Sequence, residues 1–243
     1  MKIAVLSDIH GNMFALRAVL EDMKHYNVDR VFCLGDLAMA GPEPNKTVDF
    51  VKTQDWTVIQ GNTDYMISNY SSDKYSAENG FPPIMANALK CDTEEISEEN
   101  KQYLKNLPIN KSVELENLKI LLVHGSPRRN DENIFPNMDL NVIEDIFTEV
   151  DADVVFCGHT HMPCGYQTNS KITVVNDGSV GRPFTENPKA CYVIADITNG
   201  KIEVEHRFVE YDKESAVKIL EKRNFEGSDK LAQMLINPEK RHM

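Results

Sequence analysis

Two rhythms of apolar and polar positions run through the first half of the chain. KIAVLS (residues 2–7) is a short apolar run of the length of a buried strand. NMFALRAVLEDMKHY (12–26) then sets Leu16, Val19, Leu20 and Met23 on one helical face. DRVFCLGD (29–36) predicts a second strand, NKTVDFVKTQ (45–54) a helix and WTVIQGN (56–62) a third strand. Strands alternating with helices predict a parallel sheet with crossover connections.

Residues 65–112 break that rhythm. NYSSDKYSAENGFPP is polar and irregular, and it precedes SEENKQYLKNLP, where Ser97 is a good cap, Glu98 and Glu99 fill the first turn and Pro108 marks the end. This stretch predicts a helical excursion over the sheet edge. KILLVHGSP and ADVVFCGHTH restore the strand pattern on either side of a helix in LNVIEDIFTEV. Beyond Gly165 the texture becomes short strands and turns, with a hairpin turn at Thr198-Asn-Gly-Lys201, and the tail from Lys213 reads as helical. No repeat, low-complexity tract or linker divides the chain, so a single domain over 1–243 is expected.

Composition narrows the classes. With 41% hydrophobic residues in 243, a sizeable core is expected. The formal net charge of -12 and the lack of basic clusters disfavour nucleic acid as a partner, nuclease action included, but not a small phosphorylated substrate at bound metal ions. No apolar run is long enough for a membrane span and no secretory leader is evident. Five scattered cysteines suggest a reducing, cytoplasmic setting.

Most apolar strands of the alternating part end in small, acidic or histidine residues: Asp8-x-His10, Gly35-Asp36, Gly61-Asn62, His124-Gly125 and Gly158-His159-x-His161. Ligands collect at the carboxyl ends of strands in open α/β sheets, so five loops are expected to converge. In extended chain, residues two apart share a side, which lets Asp8 and His10 grip one ion; His159 and His161 have the same spacing. The neighbouring glycines permit tight turns and close backbone approach. Nitrogen and oxygen donors without thiolate suit two divalent ions about 3.5–4 Å apart, of manganese, iron, zinc, cobalt or nickel, with Asp36 able to bridge. Two such ions against Asp8, Asp36 and one hydroxide leave a positive charge for phosphate. Cys157 and Cys164 flank the two histidines in CGHTHMPC, but the other ligands need those histidines, so the thiols are expected to be bystanders.

DIHGN, GD, GNTD, HG and GHTH, in that order, resemble the calcineurin-like metallophosphoesterase family over nearly the whole chain. HGSPRR and NDGSVGRP are similar to its small prokaryotic phosphodiesterase and diadenosine tetraphosphatase-like branch. The resemblance implies a four-layer α/β/β/α sandwich, with 65–112 as a helical insertion at the active-site edge. It implies one metal on Asp8, His10, Asp36 and His161 and another on Asp36, Asn62, His124 and His159, manganese first among the candidates. Asp36, Asn62 and His124 would carry the catalytic centre. A metal-bridging hydroxide would attack the phosphorus of a phosphodiester or phosphomonoester, nucleotide-like in character. Cleavage of a phosphoanhydride of the diadenosine tetraphosphate kind is the alternative, and a silent protein-binding scaffold of the same fold is the alternative outside catalysis.

The family's histidine after Gly-Asn is replaced by Thr63, a poor proton donor, and His25, His206 and His242 offer no evident replacement. Arg128 and Arg129, just past His124, are candidate phosphate-binding groups. Asn12 can cap the first helix or face the phosphate. A homo-oligomer is left open.

Overall fold

In the computed structural model, which describes residues 1–186 and 188–238, two five-stranded sheets lie face to face. The first contains β1 (Lys2–Leu6), β2 (Arg30–Cys33), β3 (Thr57–Val58), β9 (Ala190–Thr198) and β10 (Lys201–Val209), in the order β10-β9-β1-β2-β3. β1, β2 and β3 run parallel, and β9 pairs antiparallel with both β1 and β10. The second contains β4 (Asn110–Leu115), β5 (Leu118–Val123), β6 (Val154–Cys157), β7 (Cys164–Gln167) and β8 (Thr173–Asn176), in the order β4-β5-β6-β8-β7. Here β5, β6 and β8 are parallel, with antiparallel β4 and β7 on the edges.

Strand alternation explains the layering. In β1, Ile3 and Val5 face the second sheet, where they meet Ile120, Leu122, Val154 and Phe156. Ala4 and Leu6 point the other way, into a cluster shared with α1 (Met13–Met23), α2 (Pro44–Lys52) and the carboxyl-terminal α7 (Lys213–Lys222) and α8 (Ser228–Met234). On the far side, Val123, Val155 and Cys157 pack against Ile143, Ile146 and Phe147 of α6 (Leu140–Phe147). Helix, sheet, sheet and helix thus stack as the expected four-layer α/β/β/α sandwich. The β9–β10 turn has Asn199 and Gly200 at φ 52° and 71°, the left-handed pair that a two-residue hairpin turn requires.

The stretch 65–112 is more regular than its polarity suggests. α3 (Asn62–Ser68), α4 (Pro83–Glu95) and α5 (Glu98–Asn106) follow one another, and the Ser97 hydroxyl caps α5 by accepting the Asn100 amide at 3.2 Å. Ala88, Leu89, Ile96 and Leu104 enter the same buried cluster as α1, so these helices belong to the outer layer of the first sheet. Among the described residues, no helix is long and apolar enough to cross a membrane.

Candidate active site

The loops after β1, β2 and β3 approach those after β5 and β6 across one end of the sandwich, and hydrogen bonds fasten them. The Asp8, His10 and Gly11 amides donate to the carbonyls of Gly35, Asp36 and Leu37 at 2.9–3.0 Å. The loop of NDGSVGRP closes from the other side: Val180 and Gly181 donate to the Ser7 and Asp8 carbonyls at 3.1 and 3.0 Å. Two glycines make this possible. A Cβ at Gly61 would lie 2.1 Å from Asp36 Oδ1, and one at Gly158 would lie 2.3 Å from Ser7 Oγ.

Seven side chains named from the sequence meet here: Asp8, His10, Asp36, Asn62, His124, His159 and His161. The backbone that delivers them differs from the extended chain expected. Asp8, His10, Asp36, His159 and His161 have φ of 52°, 47°, 53°, 67° and 60°, all left-handed. Asp8 and His10 reach one locus because the chain turns there, not because it is extended. His159 and His161 diverge, one toward Asn62 and the other toward Asp8. Left-handed geometry at five non-glycine ligand positions costs about 1–3 kcal/mol each at most, and it persists because the interlocked loops overdetermine it.

The donor set fits cations. His10 Nδ1–H donates to the Met39 carbonyl (3.0 Å) and His161 Nδ1–H to the Arg182 carbonyl (2.6 Å). That fixes both tautomers and leaves two Nε2 lone pairs facing each other at 3.1 Å. Asp8 Oδ1, buried and without a hydrogen bond, completes this group, 3.0 Å from His161 Nε2 and 3.5 Å from His10 Nε2. A second group repeats the arrangement. His124 Nδ1–H donates to the Leu34 carbonyl (2.8 Å), and its Nε2 faces Asn62 Oδ1 at 2.9 Å. His159 Nδ1 faces the same Asn62 oxygen at 2.8 Å. Asp36 Oδ2 lies between the groups, 3.4 Å from His124 Nε2 and 3.7 Å from His10 Nε2. In the first group acceptors face acceptors and repel unless a cation lies among them, while in the second two imidazole nitrogens converge on one amide oxygen, a donor set that an ion could also use. Two triads, Asp8–His10–His161 and Asp8–Asp36–His124, are close enough to share an ion.

Electrostatics reports the same crowding. Burial works against the Asp8 carboxylate, but His161 and His10 hold it well below the usual carboxylate range. Asp36 behaves alike, burial outweighed by His124 and its pKa brought to about 2. Burial and then the neighbouring His124 push His159 down to about 4, so its ring is neutral and able to donate a lone pair.

Two further carboxylates steady the ligands. Asp64 accepts the amides of Asp36 (2.8 Å), Leu37 (2.9 Å) and Gly61 (3.0 Å), which sets the Asp36 loop. Ser7 Oγ lies 2.5 Å from Asp8 Oδ2 and 2.7 Å from Asp177 Oδ1. One hydroxyl proton cannot serve both contacts. Burial raises the Asp177 pKa well above its ordinary value, with the Ser7 hydroxyl opposing the rise.

The other expected site residues are elsewhere engaged. Asn12 caps α1, its Oδ1 accepting the Ala15 amide at 3.1 Å and its Nδ2 donating to the Gly181 carbonyl at 2.9 Å. Both polar atoms are engaged, and the first contact is the capping role offered for it from the sequence. Arg128 and Arg129 form ion pairs outside the cleft. Arg128 pairs with Glu132 (2.6 Å) and Asp145 (2.7 Å), Arg129 pairs with Asp131 (3.0 Å), and neither lines the cleft over the ligands. The Cys157 thiol is buried against the α6 side of its sheet, and Cys164 is pushed up to about 12 by burial; neither joins the candidate ligand groups. His206 is taken by the Asn176 carbonyl at 2.7 Å, and His242 lies outside the described residues.

A cleft of about 290 Å³ opens over the ligands, walled by Met39, Met66, Phe81, Met85 and Phe184 with Arg182 at its side. The Phe184 ring stacks on His161 at 4.8 Å. Arg182 stands in NDGSVGRP, one of the segments that carry the resemblance to the small prokaryotic branch. Met66, Phe81 and Met85 have no local signal, because chain folding alone brings them here.

Comparison with known proteins agrees with this geometry. Residues 1–200 match the calcineurin-like phosphoesterase superfamily domain. An uncharacterised protein of Methanocaldococcus jannaschii is 32% identical over 238 residues, covering 91% of this chain and 93% of that one. A metallophosphoesterase of Sphaerobacter thermophilus superposes with a TM-score of 0.80 at 26% identity, covering 97% of this chain and 98% of the other. A hypothetical protein of Pyrococcus horikoshii reaches 0.87 at 25% identity, with 99% of each chain covered.

Proposed function

We propose, for a chain that belongs to the calcineurin-like phosphoesterase superfamily, hydrolysis of a phosphodiester or phosphomonoester at a centre of two divalent transition-metal ions. The observation that carries this reading is the pair of nitrogen- and oxygen-bearing groups, His10/His161/Asp8 and His124/His159/Asn62, with Asp36 Oδ2 between them.

Asp8, His10, Asp36 and His161 would hold one ion, and Asp36, Asn62, His124 and His159 the other. Ions so bound activate water and neutralise charge on phosphoryl oxygens. The protein's own groups do the rest. The carbonyls of Met39, Arg182 and Leu34 keep His10, His161 and His124 in the lone-pair-donating tautomer. The apolar walls exclude water from one side of the phosphate, and Arg182 adds a guanidinium beside it. Asn62 and His159 are the half-buried members, so the substrate reaches the centre from their side.

The test is to purify without chelators, measure metal content, and assay nucleotides, aryl phosphodiesters and dinucleoside polyphosphates with added manganese. Asn62→Ala is expected to fall from about two ions to about one and to lose turnover by about 100-fold. Full activity in that variant overturns the two-ion assignment. Release of AMP with ATP, or of two ADP, would identify an anhydride as the substrate instead.

A further inference from the structure

A second cleft, of about 400 Å³, adjoins the ligand cluster on its other flank and shares Asn62 and Met66 with the first. Its lining includes Tyr65, Lys74, Tyr75, Ile109 and Asn130. The wall between the clefts is aromatic: Tyr75 on this side meets Phe81 of the other edge to face, with centroids 5.5 Å apart. Building on the proposed phosphoesterase activity, we propose that this cleft is a subsite for a planar aromatic ring, nucleobase or aryl, carried by one arm of the phosphate ester.

Three features of the cleft agree on that occupant. First, apolar surface is exposed here with no partner of its own. Tyr65 is 44% and Ile109 59% exposed, two of the few large hydrophobics the fold leaves in solvent, and both lie in this cleft. Second, the rings are held in place. Tyr65 lies three residues beyond Asn62 on α3, so ring and metal ligand share a helix face, while buried Tyr75 stacks on Tyr70 at 6.4 Å. A ring with few internal torsions and a fixed backbone gives stacking area at small entropic cost.

Third, the charge suits an ester of phosphate. Lys74 Nζ lies 5.4 Å from the Tyr65 centroid and 5.0 Å from that of Tyr75, and among the described residues no carboxylate pairs with it. The one acid in the lining, Asp131, is already bound by Arg129. In a chain of net charge -12, a cation held by the Tyr75 side chain and by no carboxylate, in a cleft that includes Asn62, favours an anionic substrate. A phosphorus atom held at Asn62 would lie where the two clefts meet, with one arm of a diester directed into each.

Calorimetry on the manganese-loaded protein tests this with phosphonates, whose carbon–phosphorus bond is not cleaved by a phosphoesterase: methylphosphonate, phenylphosphonate and an adenosine 5′-phosphonate. The ring-bearing pair is expected to bind at least about tenfold more tightly than methylphosphonate, in keeping with stacking energies of single bases. Tyr65→Ala, at a position exposed enough to keep the fold, is expected to bring that ratio to within about twofold of unity, and Tyr65→Trp to restore it. A nucleobase preference over phenyl identifies a nucleotide arm; the reverse identifies an aryl arm. Equal affinity for all three, or a ring preference that survives Tyr65→Ala, overturns the subsite. If no ester in the panel is hydrolysed while the Tyr65-dependent preference persists, the phosphoesterase reading fails and the ring subsite stands.

Discussion

Thr63 occupies the position where a proton donor would serve the departing group, and its own bonds disqualify it. Its amide donates to Asp36 Oδ1 at 2.8 Å and its hydroxyl to the Ala38 carbonyl at 3.1 Å. Among the described residues lining the cleft, every imidazole belongs to the ligand set, and the Arg182 guanidinium stays charged. On the proposed reading the leaving group would depart with little protonation. For matched aryl esters, p-nitrophenyl is expected to outpace phenyl by about 100-fold or more, the contribution a general acid would otherwise make. Thr63→His is expected to narrow that gap; equal rates for the two esters in the unmodified protein would show that another donor reaches the oxygen. This residue-level chemistry was legible because it depends on residue type beside a glycine. Gly61 is followed by Asn62 and Thr63, and the glycine is indeed where no Cβ fits. What stayed hidden were roles set by partners distant in sequence. Arg128 and Arg129 sit close to His124 in the chain, yet Glu132, Asp145 and Asp131 hold them elsewhere.

At the scale of elements, strands with strong apolar alternation and helices with clear faces were readable, while α3 and α4 were not. α3 begins at Asn62, inside what looks like a turn, and spans only Asn62–Ser68. α4 begins after a Pro-Pro pair, and one of its few buried positions is an aspartate, Asp92, so its periodicity is blurred. That aspartate has a structural purpose. Its Oδ2 accepts the Ala40 amide at 2.8 Å, and its Oδ1 lies 2.7 Å from Arg223 at the end of α7. Arg223 also donates to the Gly41 carbonyl at 2.8 Å and pairs with Glu95 at 2.7 Å. It thus ties α7 and α4 to the loop that backs His10. Arg223→Met would leave Asp92 buried without its cation and is expected to cost about 3–5 kcal/mol. The deficit has a sign in pH. Burial already raises Asp92 to about 6, with Arg223 opposing the rise. An acid whose folded pKa exceeds its unfolded value destabilises the fold above that pKa, and protonation relieves the cost as pH falls toward the unfolded value. Denaturant melts of the variant at pH 8 and pH 5 are therefore expected to show a smaller deficit at pH 5; a deficit independent of pH would mean that lost packing, not the charge, dominates.

For the whole molecule, the centre is a seam. Asp8, His10, Asp36 and Asn62 come from loops of the first sheet, and His124, His159 and His161 from loops of the second. The apolar layer between the sheets holds them face to face, but at this end the contact is made of polar groups, and the Nε2 lone pairs of His10 and His161 oppose one another there. Ions bound there would convert that repulsion into a bridge between the sheets, and they would bind the folded chain only. Mass action then gives about 2.7 kcal/mol of stabilisation at a hundredfold excess over the dissociation constant. For a domain of this size that corresponds to a rise in Tm of roughly 5–10 °C. Melting curves with manganese, and again after a chelator, are expected to differ by that amount, with Asn62→Ala keeping part of the rise because Asp8, His10 and His161 still form a group. Identical curves with and without metal would mean that the seven side chains do not constitute a metal site, whatever the sequence order of their motifs.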